Sequence, residues 1–265
     1  MPPRCRCPVL ARSRVRCRSL SPRPPLAMLG LRLLTWDVKD TLLRLRRPVA
    51  LSYAAEARCH GVELRPDALS CSFRAAYTAH SRQYPNYGLG QGLSSRQWWL
   101  HVVKETFRLV GVREETLLAQ MAENLYRDYC SPNNWELLPG AAHTLSRCRQ
   151  LGLRMGVVSN FDNRLHEILQ RCHLRHLFHF VLTSEAAGVA KPDPEMFRMA
   201  LRLGAALPEQ AAHIGDDYSR DYMAARQVGM HSFLLHSNGH STERDVPPGH
   251  VLPTLSHILT VIDKG

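Results

Sequence analysis

Short apolar runs that stop abruptly at polar or small residues recur along the chain. Leu31–Trp36 ends at Asp37, Leu153–Val158 at Ser159-Asn160, Phe178–Leu182 at Thr183-Ser184, and Ala211–Ile214 at Gly215-Asp216; a fifth run, His231–Leu235, follows Gly229. Runs this short, largely apolar on successive rather than alternating positions, predict strands buried on both faces. Between them lie helical patterns over Ala141–Gln150, Asn163–Cys172, Pro194–Leu203 and Arg220–Gln227. Pro139 sits just ahead of the first, and Pro194 falls in the first turn of another, where the missing N–H has no intrahelical partner to lose. Strands alternating with helices predict right-handed βαβ crossovers and so an α/β fold: a Rossmann-like parallel sheet with helices on both faces.

More than one crossover's worth of chain separates the first strand from the second. Residues 46–138 read as four helices, Val49–Gly61, Pro66–Ser81, Ser95–Val110 and Arg113–Asp128, which predicts an inserted helical bundle. The Gly-rich stretch Tyr84–Ser95 lies between two of them; it follows no strand, so it is not a dinucleotide-binding turn. The expected division is a core of residues 28–45 and 139–240, an insert of 46–138 and a C-terminal segment of 241–265.

The net charge of +11 suggests a nucleic-acid partner until it is located. Residues 1–27 hold seven arginines and no acidic residue, and without them the remaining chain carries +4. Six prolines in the same stretch, with no apolar periodicity, predict disorder. Three readings of it stand: a leader ahead of a folded protein starting at Met28, a mitochondrial presequence, or a nucleic-acid tether acting by charge alone. No nucleic-acid role is expected beyond this basic leader. No window approaches the ~18 uninterrupted apolar residues of a membrane span, so no membrane partner is expected. The five cysteines of the body, Cys59, Cys71, Cys130, Cys148 and Cys172, are odd in number and irregularly spaced. That pattern suits reduced thiols in an intracellular setting, whether cytoplasm, nucleus or mitochondrial matrix.

In a doubly wound sheet, ligands bind beyond the carboxyl ends of the strands. The polar stops listed above all lie there, so residues far apart in sequence should share one crevice. Four features then stand together: Asp37-Val38-Lys39-Asp40-Thr41, Ser159-Asn160, Lys191 within Gly188–Pro194, and Gly215-Asp216-Asp217 with Asp221. Each alone has a plain structural reading, as helix cap, turn, extended dipeptide or solvated loop. Their order and strand-end placement argue otherwise.

Over about Leu31 to Leu235 the combination resembles the haloacid dehalogenase-like hydrolase superfamily, and the insert resembles the α-helical cap of the subfamily that includes small-metabolite phosphatases. The resemblance implies a nucleophile at Asp37 that forms an aspartyl-phosphate. It implies Mg²⁺ held by Asp37, Asp216 and the backbone C=O of Lys39, with Asp221 or Asp217 holding metal waters or orienting Lys191. Ser159 and Asn160 would bind phosphoryl oxygens, and Lys191 would neutralise the transferring group. The expected substrate is a small phosphorylated metabolite.

The sequence departs from that pattern at Lys39. Phosphatases of this superfamily carry there an Asp that protonates the leaving oxygen and then activates water; the Gly that follows is here Asp40. A lysine ammonium has no lone pair with which to take a proton from water. Two functions are therefore set against each other: a phosphatase with altered proton chemistry, and a catalytically weak or inactive binding protein that retains the fold. Haloacid dehalogenation is a third use of the fold, but attack on carbon has no need of a dense acidic fourth motif. In the insert, Tyr84, Tyr87, Trp98, Trp99, Arg74, Arg82 and Arg96 are candidates to line a pocket for an anionic metabolite. Helix packing, one ring buried and one half-exposed, is the alternative for the tryptophan pair. His173, His176 and His179 repeat every third residue beside Cys172, but they alternate with Leu and Phe as a helix end and strand start do.

Overall fold

The computed structural model describes residues 30–236 and 245–263. The basic leader, residues 1–27, lies outside them. Six strands form one all-parallel sheet: β1 (Leu33–Trp36), β4 (Arg154–Ser159), β5 (Phe180–Thr183), β6 (Ala211–Gly215), β7 (His231–Leu235) and β8 (Val251–Leu252), in the order β5-β4-β1-β6-β7-β8. β1 is central. Trp36 is level with Val157 of β4 on one side and Ile214 of β6 on the other. Asp37 therefore leaves the sheet between the ends of its two neighbours, where the connections diverge and an open crevice forms.

All four β1 residues are buried, and their alternation divides two cores. Leu34 and Trp36 face a cluster that includes Leu145 and Cys148 of α5 (Ala141–Gln150) and Leu165, Ile168 and Leu169 of α6 (Arg164–Arg171). Leu33 faces the opposite cluster, with Phe197, Ala200 and Leu201 of α8 (Pro194–Gly204), which follows the single turn α7 (Ser184–Ala187), and Ala224 and Ala225 of α9 (Ala224–Gln227). A strand sandwiched in this way has no solvent face to mark with polar residues, which is why it reads as an unbroken apolar run. The C-terminal helix α10 (His257–Asp263) packs Ile258 on the first cluster.

Between β1 and β4 the chain forms an antiparallel ribbon of β2 (Leu43–Leu45) and β3 (Trp135–Leu137), with four helices between its strands. These are α1 (Val49–Cys59), α2 (Pro66–Gln83), α3 (Ser95–Leu109) and α4 (Glu115–Asp128). They bury a cluster of their own that includes Tyr53, Phe107, Leu118 and Met121. Two starts are set by local chemistry. Pro66 opens α2, where its fixed φ suits a first turn, and Ser94 and Gln97 form a reciprocal capping box at α3. The Gly-rich stretch coils into a tight turn over Asn86–Gln91 with Tyr87 in the left-handed region at φ 62°, and the Tyr87 ring meets Trp98 edge-on at 5.4 Å. No helix among the described residues is long and apolar enough to cross a membrane.

Candidate functional site

Asp37 lies on the floor of the crevice, 7% exposed, its backbone N–H donating to Ile214 O at 2.9 Å. Its Oδ1 accepts from Ser159 Oγ at 3.0 Å and from Lys191 Nζ at 2.7 Å. The Lys191 ammonium is buried and spends all three donors within the protein, the other two going to Val158 O at 2.9 Å and Asp221 Oδ1 at 2.6 Å. Asn160 grips the Lys191 backbone at two points: its Oδ1 accepts from Lys191 N at 2.7 Å and its Nδ2 donates to Lys191 O at 2.8 Å. The side chain of Asn160 thus holds Lys191 in place.

Asp221 is buried with both oxygens used. Oδ1 takes Lys191 and, at 3.1 Å, His213 Nε2; Oδ2 accepts from Asp217 N at 3.0 Å. The loop that carries it needs glycine at 215, because a Cβ there would stand 2.2 Å from Asp221 Cγ. Asp216 opens to the cavity, steadied by Thr41 Oγ1, which donates to its Oδ1 at 3.0 Å. Asp217 turns away from the cluster to start a π-type turn, Tyr218–Met223, and accepts from Arg220 Nε at 2.9 Å. Such a turn widens the helix by one residue and is frequent at functional sites. Lys39 lines the same cavity, but its ammonium pairs with Asp40 and the side chain is 52% exposed. Asp40 adopts φ 64°, a left-handed conformation that glycine takes without strain.

Sequence reasoning missed His213. It lies fully buried on β6, level with Thr35 of β1, and its Nδ1 is 2.9 Å from Thr35 Oγ1. Burial holds the imidazole below its ordinary pKa. The neutral ring then donates from Nε2 to Asp221 and accepts the Thr35 hydroxyl at Nδ1. A histidine within a run that otherwise reads as wholly buried was the available signal.

The electrostatics follow from this geometry. Burial lifts the Asp37 pKa to about 6; Lys191 pulls it down, and the Asp221 and Asp216 charges push it up. Burial opposes the Asp221 charge too, but Lys191 and His213 outweigh it and its pKa falls well below the carboxylate range. Burial also raises Asp216, helped by Asp221. Asp37, Asp216 and Asp221 offer oxygens within 4.8 Å of one another, and among the described residues Lys191 is the one cation paired with them. The cluster is thus short of positive charge and built of hard oxygen donors, which fits a divalent cation such as Mg²⁺. Asp37 and Asp216 have oxygens to give it, whereas those of Asp221 are taken.

These residues floor a cavity of about 560 Å³ roofed by the inserted helices. Tyr84, Tyr87, Trp98 and Trp99 line it; Arg74, Arg82 and Arg96 do not, and Arg96 pairs with Glu123 on the insert's surface. Trp98 is buried and donates to Tyr84 O, while half-exposed Trp99 donates from Nε1 to Asp162 Oδ2 at 2.7 Å. That bond and Arg164 Nη1 donating to Tyr126 O at 2.9 Å tie insert to core. Of the three histidines, His179 accepts from Met155 N at 3.1 Å.

Comparison with known proteins agrees with this architecture. The haloacid dehalogenase-like hydrolase family model matches residues 31–229. Haloacid dehalogenase-like hydrolase domain-containing protein 3 of Bos taurus is 54% identical over 238 residues, which is 89% of this chain and 95% of the relative. Among solved structures, a 2-haloacid dehalogenase from Pseudomonas syringae superposes with a TM-score of 0.64 at 22% identity, over 88% of this chain and 99% of that one. An HAD phosphatase from Thermococcus onnurineus gives 0.63 at 20% identity, over 88% and 98%. The two likenesses carry different chemistries on one fold, so the fold alone selects neither. The chain belongs to the haloacid dehalogenase-like hydrolase family.

Proposed function

We propose that the chain is a phosphatase-type hydrolase that acts with Mg²⁺ on small phosphomonoesters, Asp37 being the nucleophile and the helical insert its cap. The observation that carries this reading is the meeting of Asp37, Asp216 and Asp221 within 4.8 Å of one another, since a dehalogenase attacking carbon would have no use for Asp216. Bound between Asp37 and Asp216, Mg²⁺ would screen the charge of the phosphoryl oxygens from the nucleophile. Asp37 Oδ1 is held by Ser159 and Lys191, which leaves Oδ2 to attack phosphorus as the bond to the leaving oxygen breaks. Ser159 and Lys191 then face the transferred group, fixed beforehand by Asn160 and Asp221. Water attack on the resulting aspartyl-phosphate would release phosphate and restore Asp37.

That last step wants a base, and here the structure favours a slow enzyme. Lys39 and Asp40 pair with each other at the rim, so neither stands over Asp37 as a free carboxylate would. The second reading, a weak or inactive protein that keeps the site for binding, rests on this pair. Mg²⁺-dependent release of phosphate from a phosphomonoester panel, measured against Asp37→Asn, tests the first; turnover no faster than the control would sink it. Changing Lys39→Asp together with Asp40→Gly is expected to raise turnover by about tenfold or more, within the range of general acid–base assistance. If the natural chain already matches that double variant, the non-catalytic reading fails.

The raised pKa of Asp37 predicts how pH and metal interact. In the metal-free protein, a carboxyl lifted from its ordinary value to about 6 stabilises the fold below that ordinary value, and the contribution is lost as pH rises through 6. Mg²⁺ needs the carboxylate, so its binding competes with the proton. Adding Mg²⁺ should therefore raise Tm clearly at pH 7.5 and much less at pH 5. Equal shifts at both pH values, or none at pH 7.5, would count against Asp37 as a ligand.

A further inference from the structure

The wall of the cavity has a charge pattern that narrows the substrate class, an inference that rests on the phosphoryl reading above. The inserted helices contribute aromatic, aliphatic and small polar side chains to it, and no charged one. Phe73, Tyr77, Tyr87, Trp98 and Trp99 stand there in mutual contact, Tyr77 meeting Trp98 at 5.6 Å and Trp99 at 5.9 Å, and Tyr87 meeting both. Rings packed in edge-on and tilted pairs make a firm surface that costs little entropy to hold in place.

The cations of the wall all come from the core, and each is already matched. Lys191 lies between Asp37 and Asp221, Lys39 pairs with Asp40, and Arg220 pairs with Asp217. Arg164 is the cation nearest to being offered. It is held by Asp162 through Nε at 2.9 Å and Nη2 at 2.7 Å, and its guanidinium lies 4.0 Å over the Tyr126 ring. Asp162 is itself fully buried and also accepts from Trp99, so the charge of Arg164 is already balanced by a carboxylate that could not be left without it. A carboxylate or second phosphate on a substrate would thus enter a cavity with aromatic walls, an acidic floor and no unpaired cation among the described residues. A flat apolar group would find rings to stack on and would displace water from them.

We infer that this site selects phosphomonoesters whose alcohol is aromatic or otherwise flat and uncharged, and selects against substrates bearing a second anionic group. The phosphoryl group would sit at Asp37, Ser159 and Lys191, and the ring would lie against Tyr77, Tyr87 and Trp99. Specificity is set by the absence of a cation as much as by the rings, a case of exclusion rather than attraction.

Calorimetric titration of the full chain in Mg²⁺ buffer with three unreactive phosphonates tests this. Phenylphosphonate is expected to bind about tenfold or more tightly than both methylphosphonate and phosphonoacetate. Tyr77→Arg, at a partly exposed position that places a cation on the wall, should cut the preference for phenylphosphonate over phosphonoacetate by about threefold or more. Phosphonoacetate binding as well as phenylphosphonate, or phenylphosphonate no better than methylphosphonate, would overturn the inference while leaving the phosphoryl site standing. An unchanged ratio in Tyr77→Arg, with the variant folded by circular dichroism, would overturn it as well. If none of the three binds, the phosphoryl reading itself fails and the inference falls with it.

Discussion

Lys191→Met is expected to destabilise the fold by about 3–5 kcal/mol and to lower any phosphatase turnover by on the order of 10²–10³. The side chains are alike in length, so lost packing is a small part of the effect. What is lost is, among the described residues, the only cation between Asp37 and Asp221, both buried, which are left facing one another without it. Val158 O would also lose its donor. The deficit carries a signature. Without Lys191 both carboxyls are pushed upward in pKa, and a group whose folded pKa is raised favours folding only while it is protonated. The gap between variant and natural chain in urea unfolding should therefore narrow from pH 7.5 to pH 5. A loss below about 1 kcal/mol, or a gap indifferent to pH, would mean that Lys191 is not the counter-ion the geometry makes it.

Asp37→Asn should do nearly the reverse to the fold. Turnover should drop to background, since an amide cannot attack phosphorus. Stability at pH 7.5 should hold or rise by on the order of 1 kcal/mol. The sign follows from the pKa of about 6: at pH 7.5 Asp37 is ionised in a place that would rather have it neutral, so it weakens the fold there. Asn keeps an oxygen for Ser159 and Lys191, while Lys191 keeps Asp221 as its counter-ion. Two residues joined by one 2.7 Å hydrogen bond should thus move Tm in opposite directions. Steady-state phosphate release and a thermal melt on one preparation check both halves. A variant that loses activity because it unfolds would contradict the account.

The core was legible because strands buried on both faces leave a plain signature. β1, β4, β5, β6 and β7 fall within a residue or two of the apolar runs, and α5 spans Ala141–Gln150 as its pattern predicts. The stops at Asp37, Ser159 and Asp216 were readable for the same reason, since a buried strand ends where polarity returns. The β2–β3 ribbon and β8 were not: they are two or three residues long, too short for any period to appear. The helix expected over Arg220–Gln227 begins instead as a π-type turn that lets Asp221 reach inward, a choice made by contacts with β6 and not by local propensity. His213 and the Trp99–Asp162–Arg164 bridge escaped for the same cause, being pairings across long sequence separations. Asn160 was expected at the phosphoryl group; what no local pattern foretold is that its amide clamps the Lys191 backbone.

The left-handed backbone at Asp40 bears on how the loop responds to substitution. An aspartate held there costs about 1 kcal/mol that a glycine would not. The loop therefore follows a path that suits a glycine better than the aspartate it carries. Asp40→Gly alone would relieve the strain but release the ammonium of Lys39, leaving a cation free to swing toward the acidic floor and compete for its place. Lys39→Asp alone would set two carboxylates side by side at the rim. Each single change carries a penalty that the other removes, so the two positions are energetically coupled: the double variant should be more stable than the sum of the two single variants predicts.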